Sequence, residues 1–350
     1  MANDCGPEQA GPPNSVASHL RSALPRRRDV LVWLAGALGS SGAAWAQAPA
    51  GPTIGYLGSE TPERAASRLE AFRQGLAETG FVEGRNLKID FRWANGQYNQ
   101  LPALATELAE QSVAVLVAPG GAPVVLAAKA ATTKIPIVFE MGGDPIALGV
   151  VGSLSRPSGN ITGVSSLSVE LSRKRLEFMH ELFPSAGRLA VVINPTSPTA
   201  RSQIGNLQVA AGSLSLGLDV LEASTEADFD TIFAAPLRLG TPGLTFTSDP
   251  YFAYRSRQLA EFATRHAVPA ITQSRDFPNA GGLMSYGGDF NQSHHLAGVY
   301  TGRVLQGATP SDLPVQLVTR VELFINLKTA ASLGFVFPPS LLSSADVIIE

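Results

Sequence analysis

Apolar residues follow a regular order along the chain from residue 53 onward. Short continuous apolar runs, such as Val113–Ala118, predict strands that are buried on both faces. Between these runs the pattern predicts amphipathic helices, because apolar residues recur at spacings of three and four, first at Ala65, Leu69, Phe72 and Leu76. Gly80 and Gly217 stand where two of these helices are expected to end.

Two series of alternating strands and helices follow from this pattern, over residues 53–164 and 165–282. The predicted strands cover residues 53–57, 86–93, 113–118, 135–140, 188–193, 218–222, 243–247, 268–272 and 282–286. The predicted helices cover residues 65–76, 101–108, 122–132, 171–183, 199–216, 224–239, 251–266 and 292–306, and the last segments are extended residues 313–319, the run 321–327 and an irregular apolar tail. This order predicts an α/β fold of two doubly wound parallel-sheet lobes with a cleft between them.

The N-terminal segment has a different pattern. Three arginines, Arg26–Arg28, precede the apolar run Val30–Leu38, and two A-x-A sequences end at Ala46 and Ala48. This order is typical of a secretory signal peptide, so we expect residues 1–48 to be removed and the mature chain to be periplasmic. The Sec and twin-arginine routes both remain open. Residues 1–25 are either a long n-region or an over-extended start.

Composition narrows the class of protein. A hydrophobic content of 45% is typical of a globular chain, and the formal net charge of −3 argues against a nucleic-acid partner. The single cysteine, Cys5, lies in the segment predicted to be removed. Because no other stretch is apolar over the roughly 20 residues that span a bilayer, we expect a soluble chain that is not inserted in the membrane. A monomer is expected.

Motifs for several chemistries are missing from the sequence. There is no G-x-G-x-x-G after the first strand, no P-loop and no G-x-S-x-G, so nucleotide binding and serine hydrolysis are unsupported. His294 and His295 are adjacent near a helix start and point about 100° apart, which disfavours a shared metal ion. We therefore expect no metal, no cofactor and no enzymatic activity.

Polar residues recur at the predicted strand ends in both series. In the stretch Ile137–Gly149, for example, an apolar strand breaks into Met-Gly-Gly-Asp-Pro before a helix-like run. Such residues either cap the next helix or face a ligand, since open α/β sheets bind ligands at the carboxyl ends of their strands. The candidate substrate-binding residues are Ser59, Glu60, Gly120, Gly121, Asp144, Asn194, Ser197, Ser248, Asp249 and Asp276.

The mature chain also resembles a known family. It is similar to ABC-transporter substrate-binding proteins, whose close members include tryptophan- and tyrosine-type binding proteins with a type I periplasmic-binding fold. The resemblance rests on segments at residues 54–57, 71–76, 80–86, 101–105, 127–139, 143–149, 154–163, 173–177, 281–287 and 325–330. They follow in order along nearly the whole mature chain.

The resemblance implies three crossovers between the lobes. Lobe 1 would comprise residues 52–164 and about 282–312, and lobe 2 residues 165–281 and about 313–350. The strand-end loops would hold the ligand. The loop Pro119–Pro123 departs from the Gly-Thr-Pro-Ala type of turn and lacks its hydroxyl group, so the resemblance does not assign a ligand.

Three functions are consistent with these observations. The first is an exported receptor that closes on a small molecule, such as an amino acid or a related carboxylate, and delivers it to an inner-membrane ABC permease. The second is a periplasmic sensory module with the same ligand site. The third is an exported enzyme with Asp144 or Asp249 as a base, which the missing partner groups disfavour.

Overall fold

The computed structural model of the chain describes residues 51–350, so the predicted signal peptide lies outside the described residues. The strands are β1 (Thr53–Gly58), β2 (Lys88–Trp93), β3 (Val115–Ala118), β4 (Ile137–Met141), β5 (Ile161–Ser165), β6 (Arg188–Ile193), β7 (Gly217–Glu222), β8 (Leu244–Phe246), β9 (Ala270–Thr272), β10 (Met284–Gly288), β11 (Gln316–Leu317), β12 (Val321–Asn326) and β13 (Val347–Ile349).

Helices connect most of these strands. They are α1 (Pro62–Glu78), α2 (Leu101–Glu110), α3 (Ala122–Ala131), α4 (Ser172–Leu182), α5 (Ala200–Ser213), α6 (Asp228–Leu239), α7 (Pro250–Tyr254), α8 (Ser256–Arg265), α9 (Asp276–Asn279), α10 (Phe290–Leu305), α11 (Leu327–Ser332) and α12 (Pro339–Ser344). Two 3₁₀ turns occupy Tyr98–Gln100 and Pro310–Asp312. None of the helices in residues 51–350 combines the length and the hydropathy needed to cross a bilayer.

Within residues 51–350 the strands form two sheets, one for each lobe. The first sheet has the order β11-β5-β4-β3-β1-β2, and the second has the order β13-β12-β10-β9-β8-β6-β7. Each sheet has a hydrophobic cluster on each face, so helices cover both faces as in a doubly wound fold. The predicted fold class is confirmed, and the one departure is β12, which pairs antiparallel with β10 in the otherwise parallel second sheet.

The chain crosses between the lobes three times. Two of these crossings lie at different residues from those predicted. The strand β10 was expected in lobe 1 but pairs with β9 in the second sheet, so the return to lobe 1 begins at α10. The strand β11 was expected in lobe 2 but pairs with β5 in the first sheet. The third crossing therefore lies between β11 and β12, because hydrogen bonding to a sheet decides the lobe of a strand.

Two glycines let the returning helix α10 pack closely on α1. A Cβ atom added to Gly75 would lie 2.0 Å from the His295 carbonyl oxygen, and one added to Gly298 would lie 2.1 Å from the Phe72 carbonyl oxygen. The backbones of the two helices therefore touch where these glycines face each other. This contact attaches the late segment of the chain to the first lobe.

Some predicted elements differ from those observed. The predicted helix 251–266 is two helices, α7 and α8, that meet at Arg255, and the tail expected to be irregular contains α11, α12 and β13. Residues 145–149 form turns rather than a helix-like run. The strand β5 is not predicted because polar residues interrupt it, and its buried Thr162 hydroxyl donates instead to the Leu313 carbonyl at 2.7 Å.

Candidate ligand-binding site

A cavity lies between the two lobes, where loops after the strands of both sheets face each other. Its empty volume is about 500 Å³, including space open to solvent. The lining comes from both lobes and consists of Arg68, Pro119–Pro123, Glu140, Gly142, Gly143, Ser168, Val169, Ser197, Thr199, Ser248, Asp249, Pro250, Ala253, Tyr254, Gln273, Phe290 and His294. A space of this order suits a small molecule.

The first lobe presents a helix N-terminus to the cavity. Helix α3 begins after Gly121, which has φ +78° and offers no side-chain cap. The Gly121 N–H donates to the Glu140 carbonyl at 3.1 Å, which ties this loop to β4. Backbone N–H groups at a helix start carry partial positive charge, so this end of α3 favours an anionic group of a ligand.

The second lobe presents a carboxylate, Asp249, which follows β8 and caps the start of helix α7. Its Oδ1 accepts hydrogen bonds from Tyr98 Oη at 2.9 Å, from Asn194 Nδ2 at 3.0 Å and from the Tyr251 N–H at 3.0 Å. Its Oδ2 is buried and accepts no well-aligned hydrogen bond within residues 51–350, although the Ser197 side chain is close enough to lower the pKa of this carboxyl group. Burial raises the pKa of Asp249, while hydrogen bonds from its neighbours act in the opposite direction. A buried acceptor without a donor is costly, which suits a ligand that donates there.

A buried arginine lies next to this wall of the cavity. Arg175 is fully buried, and its Nη2 donates to Ser248 Oγ at 2.6 Å and to Ser172 Oγ at 2.7 Å. Ser248 Oγ in turn donates to the Ser168 carbonyl at 2.5 Å. Burial lowers the pKa of Arg175 to about 9, so it stays charged at neutral pH. Its charge favours an anionic group in the cavity.

The two adjacent histidines have separate structural contacts. His294 places Nε2 2.9 Å from the Pro119 carbonyl oxygen and Nδ1 2.8 Å from the Phe290 carbonyl oxygen. Burial lowers the pKa of His294 to about 3, so its neutral ring donates to only one of these oxygens. His295 Nε2 lies 2.8 Å from Glu78 Oε1 instead. Over the described part of the chain, no group of three or more His, Cys, Asp and Glu side chains is placed to hold a metal ion.

Ion pairs join the lobes beside the cavity. Arg255 Nη1 of the second lobe lies 2.6 Å from Glu60 Oε1 of the first, and these side chains are 4% and 0% exposed. The Arg255 guanidinium also lies 3.8 Å from the centroid of the Tyr251 ring. A more exposed pair joins Arg64 Nη2 to Glu226 Oε1 at 2.7 Å. We call Glu60, Arg64, Glu226 and Arg255 the interlobe latch, because these contacts exist only while the lobes are together.

Two lobes, three crossings between them and a cleft lined by both lobes are the architecture expected from the sequence. Comparison of the sequence with known protein families assigns the chain to one of them. A sequence model of the ABC transporter substrate binding protein family matches residues 62–349. The chain belongs to this family.

Individual proteins are also similar to this chain in sequence or in fold. A tyrosine-binding protein from Clostridioides difficile is 26% identical over 276 residues, which is 75% of each chain. A conserved domain protein from Vibrio cholerae superposes with a TM-score of 0.76 at 25% identity, covering 85% of this chain and 99% of that one. A Streptococcus pneumoniae ABC domain in complex with L-Trp gives a TM-score of 0.75 at 22% identity, covering 86% and 100%.

The structure separates the ten predicted site residues of this substrate-binding protein into three groups. Those that line the cavity are Gly120, Gly121, Ser197, Ser248 and Asp249. Those buried behind it are Ser59, Glu60 and Asn194, of which Asn194 supports Asp249 and Glu60 belongs to the interlobe latch. Those away from it are Asp144 and Asp276.

Local roles account for the two distant carboxylates. Asp144 Oδ1 accepts from the N–H groups of Ile146 at 2.8 Å and Ala147 at 3.3 Å, so it caps a turn. Asp276 begins the short helix α9, and its side chain is 60% exposed. Neither residue lines the cavity, and Asp276 instead lies 3.8 Å from Arg68 Nη2 of the first lobe.

Several lining residues of the substrate-binding protein were missed because they lie inside regular elements. Glu140 is the only acid in the apolar strand β4, and Arg68 sits on the buried face of α1, three residues after Ala65. Both residues are charged and stand at positions that the periodicity assigns to the core. Such a charge indicates a functional role and could have been recognised in the sequence. Gln273, Tyr254 and Phe290 carry no comparable signal.

Replacing Gly121 by alanine should impair closure of the lobes. A Cβ atom there would lie 2.4 Å from Pro250 Cγ of the second lobe, and the positive φ adds strain of about 1–3 kcal/mol. We expect weaker binding and a larger radius of gyration at saturating ligand by X-ray scattering. Gly84→Ala is the matched control, since Gly84 has φ +77° and no atom within 4 Å of its Cβ position. Equal affinity in the two variants would contradict this prediction.

Proposed function

We propose that the protein is the exported solute receptor of an ABC uptake transporter, and that its lobes close on a small ligand, an amino acid or a related small carboxylate. The observation that carries the proposal is the unpartnered Asp249 Oδ2, buried in a cavity that also receives the start of helix α3. An ammonium group supplies the donor that Asp249 lacks, and a carboxylate suits the positive end of the α3 dipole. An α-amino acid carries both groups on one carbon atom.

The relatives support this ligand class. One is named as a tyrosine-binding protein, and another is in complex with L-Trp. The buried positive charge of Arg175 adds to the preference for a carboxylate, since it lies against Ser248 in the cavity wall. In this proposal Asp249 binds the ligand and has no catalytic role, because a catalytic carboxylate needs a partner group at the reacting atoms.

Export and delivery complete the proposal. The arginines Arg26–Arg28, the apolar run and the A-x-A sequences support secretion to the periplasm, where a substrate-binding protein meets an inner-membrane permease. Closure is a hinge motion at the three crossings, and the ligand stabilises the closed form by bridging both lobes. A sensory role would use the same ligand site, and permease and ATPase genes found beside the gene for this chain would favour uptake over sensing. The mature protein is proposed to be a monomer.

Thermal unfolding of the mature chain with each of the twenty amino acids tests the ligand class. An amino acid present at 100 times its Kd should raise the free energy of unfolding by about 2.7 kcal/mol. Simple sugars, which lack both charged groups, serve as the control set. The proposal fails if no amino acid shifts the melting temperature and calorimetry detects no binding, and it also fails if only an uncharged sugar binds.

A further inference from the structure

A second group of polar side chains lines the cavity on the side of α1 and α10. Side chains alternate along β4, so Glu140 points to the same face of the sheet as Val138. Val138 belongs to the hydrophobic cluster that packs against α1 and α10. Arg68 of α1 and Glu140 of β4 therefore approach the cavity from neighbouring elements on one face of the first sheet, and both line it.

Two aromatic rings hold the Arg68 guanidinium in place. Its central carbon lies 4.1 Å from the centroid of the Tyr254 ring and 5.0 Å from that of Phe290. The Arg68 side chain is only 6% exposed, and its salt bridge to Asp276 Oδ2 is long, at 3.8 Å, with Asp276 60% exposed. An arginine presents five N–H donors in a fixed plane, so most of the hydrogen-bonding capacity of Arg68 is left for another acceptor.

Glu140 is a buried acid with an unused oxygen. It is 4% exposed, and its Oε1 has no hydrogen-bond partner within residues 51–350. Burial raises the pKa of Glu140 to about 8, and the positive charge of Arg68 acts in the opposite direction. Although Arg68 and Glu140 line the same cavity, they form no salt bridge with each other in the described chain. Both side chains can therefore contact a third group that occupies the cavity.

We propose that Arg68 and Glu140 form a side-chain subsite, and that the ligand is an amino acid whose side chain ends in a phenol or carboxamide group. The oxygen of such a group accepts from Arg68, and its O–H or N–H donates to Glu140. Each buried polar group then has a partner. A hydrocarbon side chain leaves both groups unpaired, which is the situation in which a polar site rejects an analogue most strongly. This inference rests on the proposed function, since the subsite selects among amino acids.

Pairs of ligands test the subsite without altering the protein. L-tyrosine and L-phenylalanine differ only in the hydroxyl group, and L-glutamine and L-methionine are similar in length. We expect L-tyrosine or L-glutamine to bind at least about 100-fold more tightly than its hydrocarbon or thioether counterpart. The L-tyrosine pair and the L-glutamine pair distinguish a phenol from a carboxamide. Equal affinity within both pairs overturns the inference.

A variant locates the discrimination at Glu140. In Glu140→Gln the side chain keeps its shape but an NH2 group, which cannot accept a hydrogen bond, replaces one oxygen, so the Kd of the preferred ligand should rise about 10-fold. The Kd of the counterpart that lacks the distal polar group should change less than about threefold, which gives a coupling between that group and residue 140. Glu261→Gln, at an exposed position outside the cavity, is the matched control. Equal losses for both ligands overturn the assignment to Glu140.

The outcomes separate this inference from the proposed function. If no amino acid binds, both fail. If both members of each pair bind equally and Asp249→Asn weakens all of them, the proposed function stands and the subsite is wrong. Melting temperatures of the unliganded variants show whether the Glu140 substitution has altered the fold, and the wild-type ligand pairs decide the question if it has.

Discussion

Replacing Asp249 by asparagine is expected to weaken amino-acid binding by about 10- to 150-fold, because a charge-assisted hydrogen bond contributes about 1.5–3 kcal/mol. Asparagine keeps the oxygen that accepts from Tyr98, Asn194 and the Tyr251 N–H, so the start of α7 should stay intact. It replaces the unpartnered Oδ2 by an amide group that cannot accept from an ammonium. Calorimetry with L-tyrosine and L-glutamine on wild type and variant measures the loss.

Asp144→Asn is the matched control for that substitution. Asp144 also follows a strand and caps a turn, yet it lies outside the cavity. Its replacement should leave the Kd within about twofold of wild type, because surface substitutions away from a site have small effects. A similar loss of affinity in both variants would show that capping, and not contact with the ligand, explains the role of Asp249.

Replacing Glu60 by glutamine should shift the protein toward its open form and thereby weaken ligand binding. The substitution removes the shorter of the two carboxylate contacts of the buried Arg255 in the closed form and leaves only Glu226 Oε1, at 3.3 Å on a 44% exposed side chain, whereas the open form exposes Arg255 to water. Removing one partner of a buried ion pair costs about 3–5 kcal/mol. We therefore expect affinity to fall about 100-fold or more, with the radius of gyration at a fixed ligand concentration shifted toward that of the open form. Calorimetry and X-ray scattering measure the two effects.

Two comparisons isolate the latch from general destabilisation. Glu177→Gln breaks the exposed pair with Arg173, at 3.3 Å, and should leave affinity unchanged because surface pairs contribute about 0–1 kcal/mol. The double variant Glu60→Met, Arg255→Met removes both charges and should recover part of the affinity lost in Glu60→Gln. If the double variant binds more weakly than Glu60→Gln, the unpaired charge is not the cause.

The physical origin of each feature explains which parts of this protein were predictable. The helix α2 and the strand β6 were predicted within a few residues, since each depends on a local repeat of apolar positions. The tail was not, because α11 and α12 pack by a few apolar residues each and their short patterns carry little periodic signal. The strand β10 was assigned to the wrong lobe, because its pairing with β9 and β12 is a property of the sheet.

Part of the candidate site was also predictable from the sequence, and part was not. Strand-end loops with glycine and small polar residues indicated the correct edge of the sheets, and Gly121, Ser248 and Asp249 do line the cavity. Asp144 looked equivalent to Asp249 in the sequence, since both follow a strand and precede a proline. The path of each loop after its strand decides which of these carboxylates faces the other lobe.

Local patterns along the chain were thus sufficient for the fold class, the family resemblance and the cleft. Contacts between distant residues required the tertiary structure: Glu60 meets Arg255 across 195 positions, and Tyr98 meets Asp249 across 151. The placement of Arg68 and Glu140 at the cavity could not be predicted either, because each lies in an element whose apolar pattern indicates burial in the core. The physical reason is that periodicity reports which face of an element is buried, whereas the partner of a buried polar group depends on how the elements pack.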